Sequence, residues 1–522
     1  MRRAAGVTRD LAILLLIGAP LVALGGLACY HGAFGSTQDA IDYAQIARNL
    51  LEGRGFTSDI ALPISLAFPF GRTLPQPILY RPPLPSIALV PFLAAFGSRD
   101  AALLAATFMF TLLAGIATYF LGRRVGGANR GRALGLAAAA IVLLNTGLGE
   151  EIGNATAEPL ATLLVALLFL SAVSGRAFLA GLLFGAILTA KLHIAVILPV
   201  LFIPPFLRGI RWRANAVRFA IGALLAFSPW LVRNVIVTGK PVFDLHAFTE
   251  TQRANWSGPG SSYAAHRRTE ATSSGSVLVE RPDRLLRYAS SLLWSTARHL
   301  PRYVGPGIVV LLVFSFFVRP GPAAGRDAHL IAHLAFGMMA LGLAPIALTP
   351  RYLIVLLPLA AVSGANALLE WLERRPRGAV RVAIAVVLIA LVAAPPAARL
   401  RGAADGLARG NLGRFWPPAT ENLRSRTSTD DTIVSDDLSI AWYGRRRVVW
   451  VPWDAAGLRT LDEAIPIDAV YLRAEDAELE RKLGSQSRHA IAEFIARECE
   501  PAGVERDGTG RLFLRRRASG ER

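Results

Sequence analysis

Asp39 and Asp42 stand three residues apart at the head of a stretch that runs to Gly53 and Gly55. In helical register Ala40, Tyr43, Ala47, Leu50 and Leu51 share one face, and Asp42, Gln45, Asn49 and Glu52 lie opposite. Ser36 or Thr37 can cap the start, and either glycine can end it. Carboxylates placed at the edge of an apolar medium can take a proton from a hydroxyl as general bases. They can equally do no more than favour the dipole of the helix they begin.

Other charged residues stand where apolar runs begin or break. Arg81, in Tyr80-Arg81-Pro82-Pro83-Leu84-Pro85, is held by two prolines at the edge of the apolar stretch 84–97. A snorkelling arginine is the plainer alternative. Glu158, in Thr156-Ala157-Glu158-Pro159, opens a run with proline at the first helical position, where an acid also suits the helix terminus. Lys191 interrupts a run between Ala190 and Leu192. A lysine is costly at mid-membrane, whereas at an outer edge it can meet a phosphate. Arg233, in Pro229-Trp230-Leu231-Val232-Arg233-Asn234, and Arg351, in Pro350-Arg351-Tyr352, complete the set.

What must position these residues is a set of membrane spans. Apolar residues make up 53% of the chain and fall into blocks rather than into alternation. The blocks lie near 11–30, 101–121, 133–148, 158–174, 177–190, 193–207, 216–237, 303–318, 328–348, 352–369 and 379–396. That predicts about eleven transmembrane helices, the fifth and sixth being the shortest against the ~20 residues a bilayer asks for. The first block follows Arg2, Arg3 and Arg9 and reads as an uncleaved anchor, although Gly26-Leu27-Ala28-Cys29 is close to a lipoprotein box.

Arginines follow every second block: Arg123, Arg124, Arg130 and Arg132, then Arg176, then Arg208, Arg211 and Arg213, then Arg319 and Arg326, then Arg374, Arg375, Arg377 and Arg381. Short basic loops stay in the cytoplasm, so the N-terminus is placed there too. The net charge of +19 therefore reflects membrane orientation, and with no recognition motif among the basic residues it excludes nucleic acid as a partner. It favours anionic lipids and polyprenyl phosphates. Two cysteines, Cys29 and Cys499, exclude a disulfide framework and a cysteine zinc site.

The other side receives residues 31–100, the 149–158 turn, the loop 238–302 and the tail. Turn-rich 257–262 and 272–275 predict a flexible outer loop within 238–302. In the tail, strands over 432–434, 448–451, 469–472 and 512–514 and a helix over 489–496 predict a small extracytoplasmic α/β domain over 401–522. The fold class is thus an all-α polytopic membrane bundle over 1–400 with a small C-terminal α/β unit. The helix headed by Asp39 is expected to lie flat on the membrane surface. Arg81, Lys191, Arg233 and Arg351 then share one depth with Asp39, Asp42 and Glu158, a site able to hold an anionic headgroup beside a catalytic carboxylate.

Taken in order, Asp39-x-x-Asp42-Tyr43-x-x-Ile46-Ala47-Arg48, Tyr80-Arg81-Pro82-Pro83-Leu84, Thr156-x-Glu158-Pro159, Leu188-Thr189-x-Lys191, Pro229-Trp230-x-x-Arg233-Asn234 and Pro350-Arg351-Tyr352 resemble the lipid-linked-sugar glycosyltransferases of the GT-C fold. The branch resembled holds the protein O-mannosyltransferases and the aminoarabinose transferase of lipid A, and the likeness covers about residues 1–400. It implies a polyprenyl-phosphate sugar as donor and a glycan, lipid or protein hydroxyl as acceptor, outside the cytoplasm of a bacterial inner membrane. By the same resemblance Asp39 is the general base, inversion occurs in one step, and Arg81, Lys191 and Arg351 neutralise the departing phosphate. Glu158 matches a second acid of the family that orients the acceptor or a metal. The family commonly has aspartate-glutamate at the first motif, whereas here Ala40 follows Asp39, which weakens a metal held by adjacent acids. A divalent cation stays open. The competing classes are a flippase of lipid-linked intermediates, which would carry its charges near the midplane, and a non-catalytic scaffold of the same fold.

Overall fold

The computed structural model describes residues 2–29, 38–78, 80–201, 212–249, 264–271, 282–318, 323–345, 348–374, 378–408, 419–473 and 476–516. Each apolar block coincides with helical backbone within these residues. Among the described residues four helices are long and apolar enough to cross a bilayer: Gly6–Leu27, Asp100–Leu143, Trp212–Thr238 and Pro350–Arg374. A fifth is added if Pro282–Val304 and Pro306–Phe317, bent by 112° at their junction, make one span. Length and composition therefore do not reach the expected eleven. Glu158–Val173 and Ala177–Ala190, among others, are apolar but shorter than a bilayer is thick.

Asp100–Leu143 carries two of the expected blocks. Gly127 leaves helical geometry at φ 65° and folds its 44 residues back as a hairpin. Glycines let the two arms touch: a Cβ on Gly122 would lie 2.8 Å from the Cα of Gly135, and one on Gly126 2.8 Å from that of Gly131. The same device joins Ala177–Ala190 to Trp212–Thr238, where a Cβ on Gly181 would fall 1.9 Å from the Phe219 carbonyl oxygen. Close backbone approach through small residues is how helices associate where no water drives them together. Ile221, Leu224, Leu225 and Ile236 of Trp212–Thr238 remain exposed, an apolar strip suited to lipid.

The hairpin also defines two ends. At its start Asp100 accepts the Trp442 indole N–H at 3.1 Å and the Tyr443 hydroxyl at 2.9 Å, fastening it to the C-terminal region. Its turn lies about 40 Å away at 1.5 Å per residue. There Arg132 pairs with Asp10 at 2.8 Å and Arg130 with Glu370 at 2.5 Å. Three of the segments flanking the basic loops thus meet at one end.

At the other end sits a six-stranded sheet. Its order is Ile60–Ala61, Arg447–Trp450, Thr432–Ser435, Ala469–Leu472, Arg511–Arg515, Cys499–Val504. The first four strands run parallel, and the last two pair antiparallel. The four strands expected in the tail are present, and the expected 489–496 helix lies within Ser485–Glu498. The edge strand Ile60–Ala61 comes from the segment between the first two apolar blocks, so the sheet is built from both 31–100 and 401–522.

Packing alters two expectations. The helix Gln38–Leu51 is not open on its polar face, because Ala40 through Asn49 are buried on every side. That face meets the Thr57–Ser58 strand and the short helix Ile440–Tyr443: Gln45 donates to Ser58 Oγ at 2.9 Å, and Arg48 donates to the Ala441 and Trp442 carbonyls at 2.8 and 3.1 Å. The proposed caps Ser36 and Thr37 lie outside the described residues, while Gly53 and Gly55 end it with φ of 76° and 71°. Nor is 238–302 one flexible loop. Residues 282 onward form the helix Pro282–Val304, and Arg267 is wholly buried, donating to the carbonyls of Val451, Pro452 and Leu483. The turn-rich 257–262 and 272–275 lie outside the described residues.

Candidate active site

Asp39 projects from the first turn of Gln38–Leu51, whose register is locked by Gln45 and Arg48 against Ser58 and the Ala441 carbonyl. Its two oxygens meet two arginines from distant parts of the chain: Oδ1 lies 2.8 Å from Arg81 and Oδ2 2.7 Å from Arg351. Asp42, one turn on, takes Arg81 at 2.7 Å and the Tyr80 hydroxyl at 2.8 Å. Pro82 is extended and Pro83 begins the Pro83–Phe96 helix, which fixes Arg81 just outside it. The Arg81 guanidinium also lies 5.0 Å from the Tyr80 ring centre.

The other half of the site comes from the bundle. Arg351 belongs to a buried 3-10 turn, Pro350–Leu356, that precedes a regular helix. Its Nε is 3.0 Å from Glu158 Oε1. Lys191 sits where Ala177–Ala190 breaks, at φ −152° and ψ 96°, and its ammonium reaches the same Glu158 oxygen at 2.8 Å. The result is one buried chain of alternating charge, Asp42–Arg81–Asp39–Arg351–Glu158–Lys191.

Six of the seven expected residues interlock in this way. Arg233 does not join them. It donates to the Ile78 carbonyl at 2.7 Å and to Asn234 at 3.2 Å, with its guanidinium 4.7 Å from the Trp230 ring centre one turn earlier. Stacking on Trp230 holds it away from the acids, and it has no acidic partner among the described residues.

Two residues of consequence were not singled out from the sequence. Glu151, in the buried helix Thr146–Gly153, accepts the Thr156 hydroxyl at 2.6 Å and lies in the field of Glu158, Arg351 and Lys191. The signal was there in Gly149-Glu150-Glu151 at the acidic outer turn. Arg48 carries the contact to the helix Ile440–Tyr443, yet its position in the first motif gave no hint of its partner.

Electrostatics separate the two aspartates. Burial opposes ionisation of Asp39, but the charges of Arg81, Arg351 and Lys191 outweigh it and hold the carboxyl well below the usual range. Burial dominates at Asp42 despite Arg81, and its carboxyl is pushed up to about 6. Burial, with the Glu158 carboxylate next in weight, also raises Glu151. A recess lined by Tyr80, Arg81, Leu192 and Trp230 opens beside the Arg81 end of this chain. Among the described residues no three His, Cys, Asp or Glu side chains are placed to hold a metal ion. The acids already face Arg and Lys, so this donor set does not fit a divalent cation.

A family model described as a domain of unknown function (DUF8201) matches residues 104–352. No curated protein matches the chain. The crystal structure of ArnT from Cupriavidus metallidurans bound to undecaprenyl phosphate is similar at a TM-score of 0.59 and 12% identity, over 96% of this chain and 97% of that one. The archaeal oligosaccharyltransferase AglB from Archaeoglobus fulgidus, in complex with an inhibitory peptide and a dolichol-phosphate, is similar at 0.57 and 11% identity, over 97% and 74%. The fold is GT-C. In the GT-C frame the apolar helices form the membrane bundle and the sheet caps one end of it. Sequence identity this low carries the architecture and not the chemistry, so the ion chain must be read from its own geometry.

Proposed function

We propose that the protein is a glycosyltransferase that moves a sugar from a polyprenyl-phosphate donor to an acceptor hydroxyl, with Asp39 as general base. The observation that carries this reading is the buried chain of charge centred on Asp39, with each of its oxygens on a different arginine. A membrane end that buries three cations against carboxylates is prepared to exchange one anion for another. A donor phosphate would take Arg351 and Lys191, since arginine and lysine are the usual partners of phosphate oxygens. With Arg351 drawn off, Asp39 regains basicity and can accept the proton of an acceptor hydroxyl. The acceptor oxygen bonds to the anomeric carbon while the bond from that carbon to the phosphate oxygen breaks. The configuration inverts, the proton rests on Asp39, and polyprenyl phosphate leaves among Arg81, Lys191 and Arg351. Glu158 would orient Lys191 and Arg351 before the donor arrives.

The donor is proposed to enter from the bundle side, with the prenyl tail left in lipid. The solved relatives support the donor class, since one is bound to undecaprenyl phosphate and another to a dolichol-phosphate. The acceptor is proposed as a glycan, lipid or protein hydroxyl of the envelope, transferred to with a hexosyl or pentosyl unit. The proposed setting is a bacterial inner membrane, with the N-terminus cytoplasmic and the sheet on the outer side. Asp39→Asn should keep affinity for polyprenyl phosphate but lose about 10²–10⁴-fold in transfer. Transfer at the wild-type rate in that variant would reject the assignment of the base. Lys191→Ala should bind polyprenyl phosphate more weakly; equal affinity would remove the lysine from the phosphate site.

A further inference from the structure

Glu151 stands outside the ion pairs but inside their field. Its helix begins at Asn145, whose side chain accepts from the Leu148 amide at 2.8 Å and donates to the Val304 carbonyl at 2.6 Å. The Thr156 hydroxyl fixes one carboxyl oxygen at 2.6 Å. The charged groups that act on it are Glu158 from the following helix, Arg351 from the Pro350–Leu356 turn and Lys191 from the break after Ala177–Ala190. The other elements packed on this helix meet it through backbone and apolar contacts. Gly26 of the first helix abuts Ile152, Thr107 of the hairpin donates to the Ile152 carbonyl, and Gly147 meets the Tyr303 backbone. Leu391, Val392 and Pro395 line a small cleft beside Thr146. Glu150, on the same helix, is half-buried.

Counting charge over this set gives three cations, Arg81, Lys191 and Arg351, against four carboxyls, Asp39, Asp42, Glu151 and Glu158. With every carboxyl ionised, a buried site meant for an anion would hold one negative charge in excess. In a medium of low dielectric that excess repels a phosphate strongly. A second observation points to the same pair. Glu158 Oε1 takes both Lys191 and Arg351, whereas its Oε2 is buried and faces no hydrogen-bond donor among the described residues. A buried carboxylate oxygen without a donor leaves negative charge at this end of the cluster incompletely compensated.

We propose that Glu151 carries a proton in the working site, so that three acids balance three cations and an anionic headgroup can enter, and that loss of this proton closes the site to anions. This rests on the polyprenyl-phosphate reading above. Glu151 acts through the charge of the cluster and not by touching the sugar. Its burial beside Glu158 fits, since both disfavour the ionised form.

The experiment measures binding to the purified full-length chain across about pH 6.5 to 9, with a short-chain polyprenyl methyl phosphodiester as probe, whose single charge does not change in that range. Wild-type affinity should fall as Glu151 ionises, towards tenfold per pH unit. Glu151→Gln, neutral at every pH and still able to accept from Thr156, should bind without that fall. Thr156→Val removes a hydrogen bond that favours the ionised form and should move the fall to higher pH. Asp42 titrates lower and is common to all three proteins. Equal slopes in wild type and Glu151→Gln, or no slope in wild type, overturn the role of Glu151 and leave the donor reading standing. If Glu151→Gln does not fold, an unmoved fall in Thr156→Val overturns it instead. Wild type that binds no diester at any pH overturns both readings.

Discussion

The two ends of the bundle use the same partners, arginine and carboxylate, in opposite ways. At the far end Asp10 takes Arg132 and the Tyr119 hydroxyl, and Glu370 takes Arg130 and Arg374. Arg132 and Arg374 are each 50% exposed, so water shares in both contacts. At the sheet end the pairs join into one chain across five separate parts of the sequence, with the Asp42 and Glu158 side chains at zero exposure. Exposed pairs fasten helices together and contribute little else. A buried alternating chain must stay balanced, because any member left alone is an uncompensated charge. It can nevertheless trade partners with an incoming anion, which the far end has no reason to do.

The sharpest way to break that contrast is to remove the shared acid. Glu158→Ala leaves Lys191, itself 6% exposed, with no carboxylate among the described residues. Breaking a buried pair by removing one partner costs roughly 3–5 kcal/mol. Thermal unfolding in detergent should show a loss of that size, with Glu158→Gln losing less because its amide oxygen still accepts from Lys191. A melting temperature unchanged in Glu158→Ala would mean that the chain of charge is solvated after all.

A smaller effect comes from pH. The raised Asp42 carboxyl is neutral below about 6 and ionised above it. Once neutral, it no longer shares Arg81, which then serves Asp39 alone and lowers its basicity further. Transfer rate should therefore rise with pH through about 6, by about tenfold between pH 5 and 7. Asp42→Asn, uncharged throughout, should be slow and flat over the same window. A variant that kept the wild-type profile would assign the acid limb to another group.

The contrast between the ends also explains what could be read in advance. Arg81, Glu158, Lys191 and Arg351 announced themselves because a charge at the edge of an apolar run is expensive and therefore conspicuous. Arg233 looked the same by that criterion, and only the Trp230 ring beside it shows why it stays apart. The helix Gln38–Leu51 has a regular amphipathic pattern, which does not say what its polar face meets. That face meets Ser58 and the Ala441 and Trp442 carbonyls. Arg48 pairs with Asp59 only eleven residues on, but the two carbonyls it meets lie almost 400 residues away, and no local pattern encodes them. The tail strands with Val and Ile runs were legible, whereas Cys499–Val504, with Pro501 and Gly503, and the two-residue Ile60–Ala61 are strands only because a sheet edge is waiting for them. Span number was legible as blocks of composition, but hairpins and bends such as those at Gly127 and Gly305 decide how many helices those blocks become.

The least effect should come from the far end, and it is the control for all the others. Tyr119 is fully buried and donates its hydroxyl to Asp10 at 2.7 Å, in company with the Arg132 guanidinium. Tyr119→Phe keeps the ring and its packing but takes one donor from an acid that retains another. A single hydrogen bond of this kind contributes about 1 kcal/mol net. The melting temperature should drop slightly, and transfer should not change, because neither Tyr119 nor Asp10 touches a member of the buried ion chain among the described residues. If Tyr119→Phe instead slowed transfer as severely as Asp39→Asn, the two ends would have to be coupled through the Asp100–Leu143 hairpin that joins them. The division between a fastening end and a reacting end would then be lost.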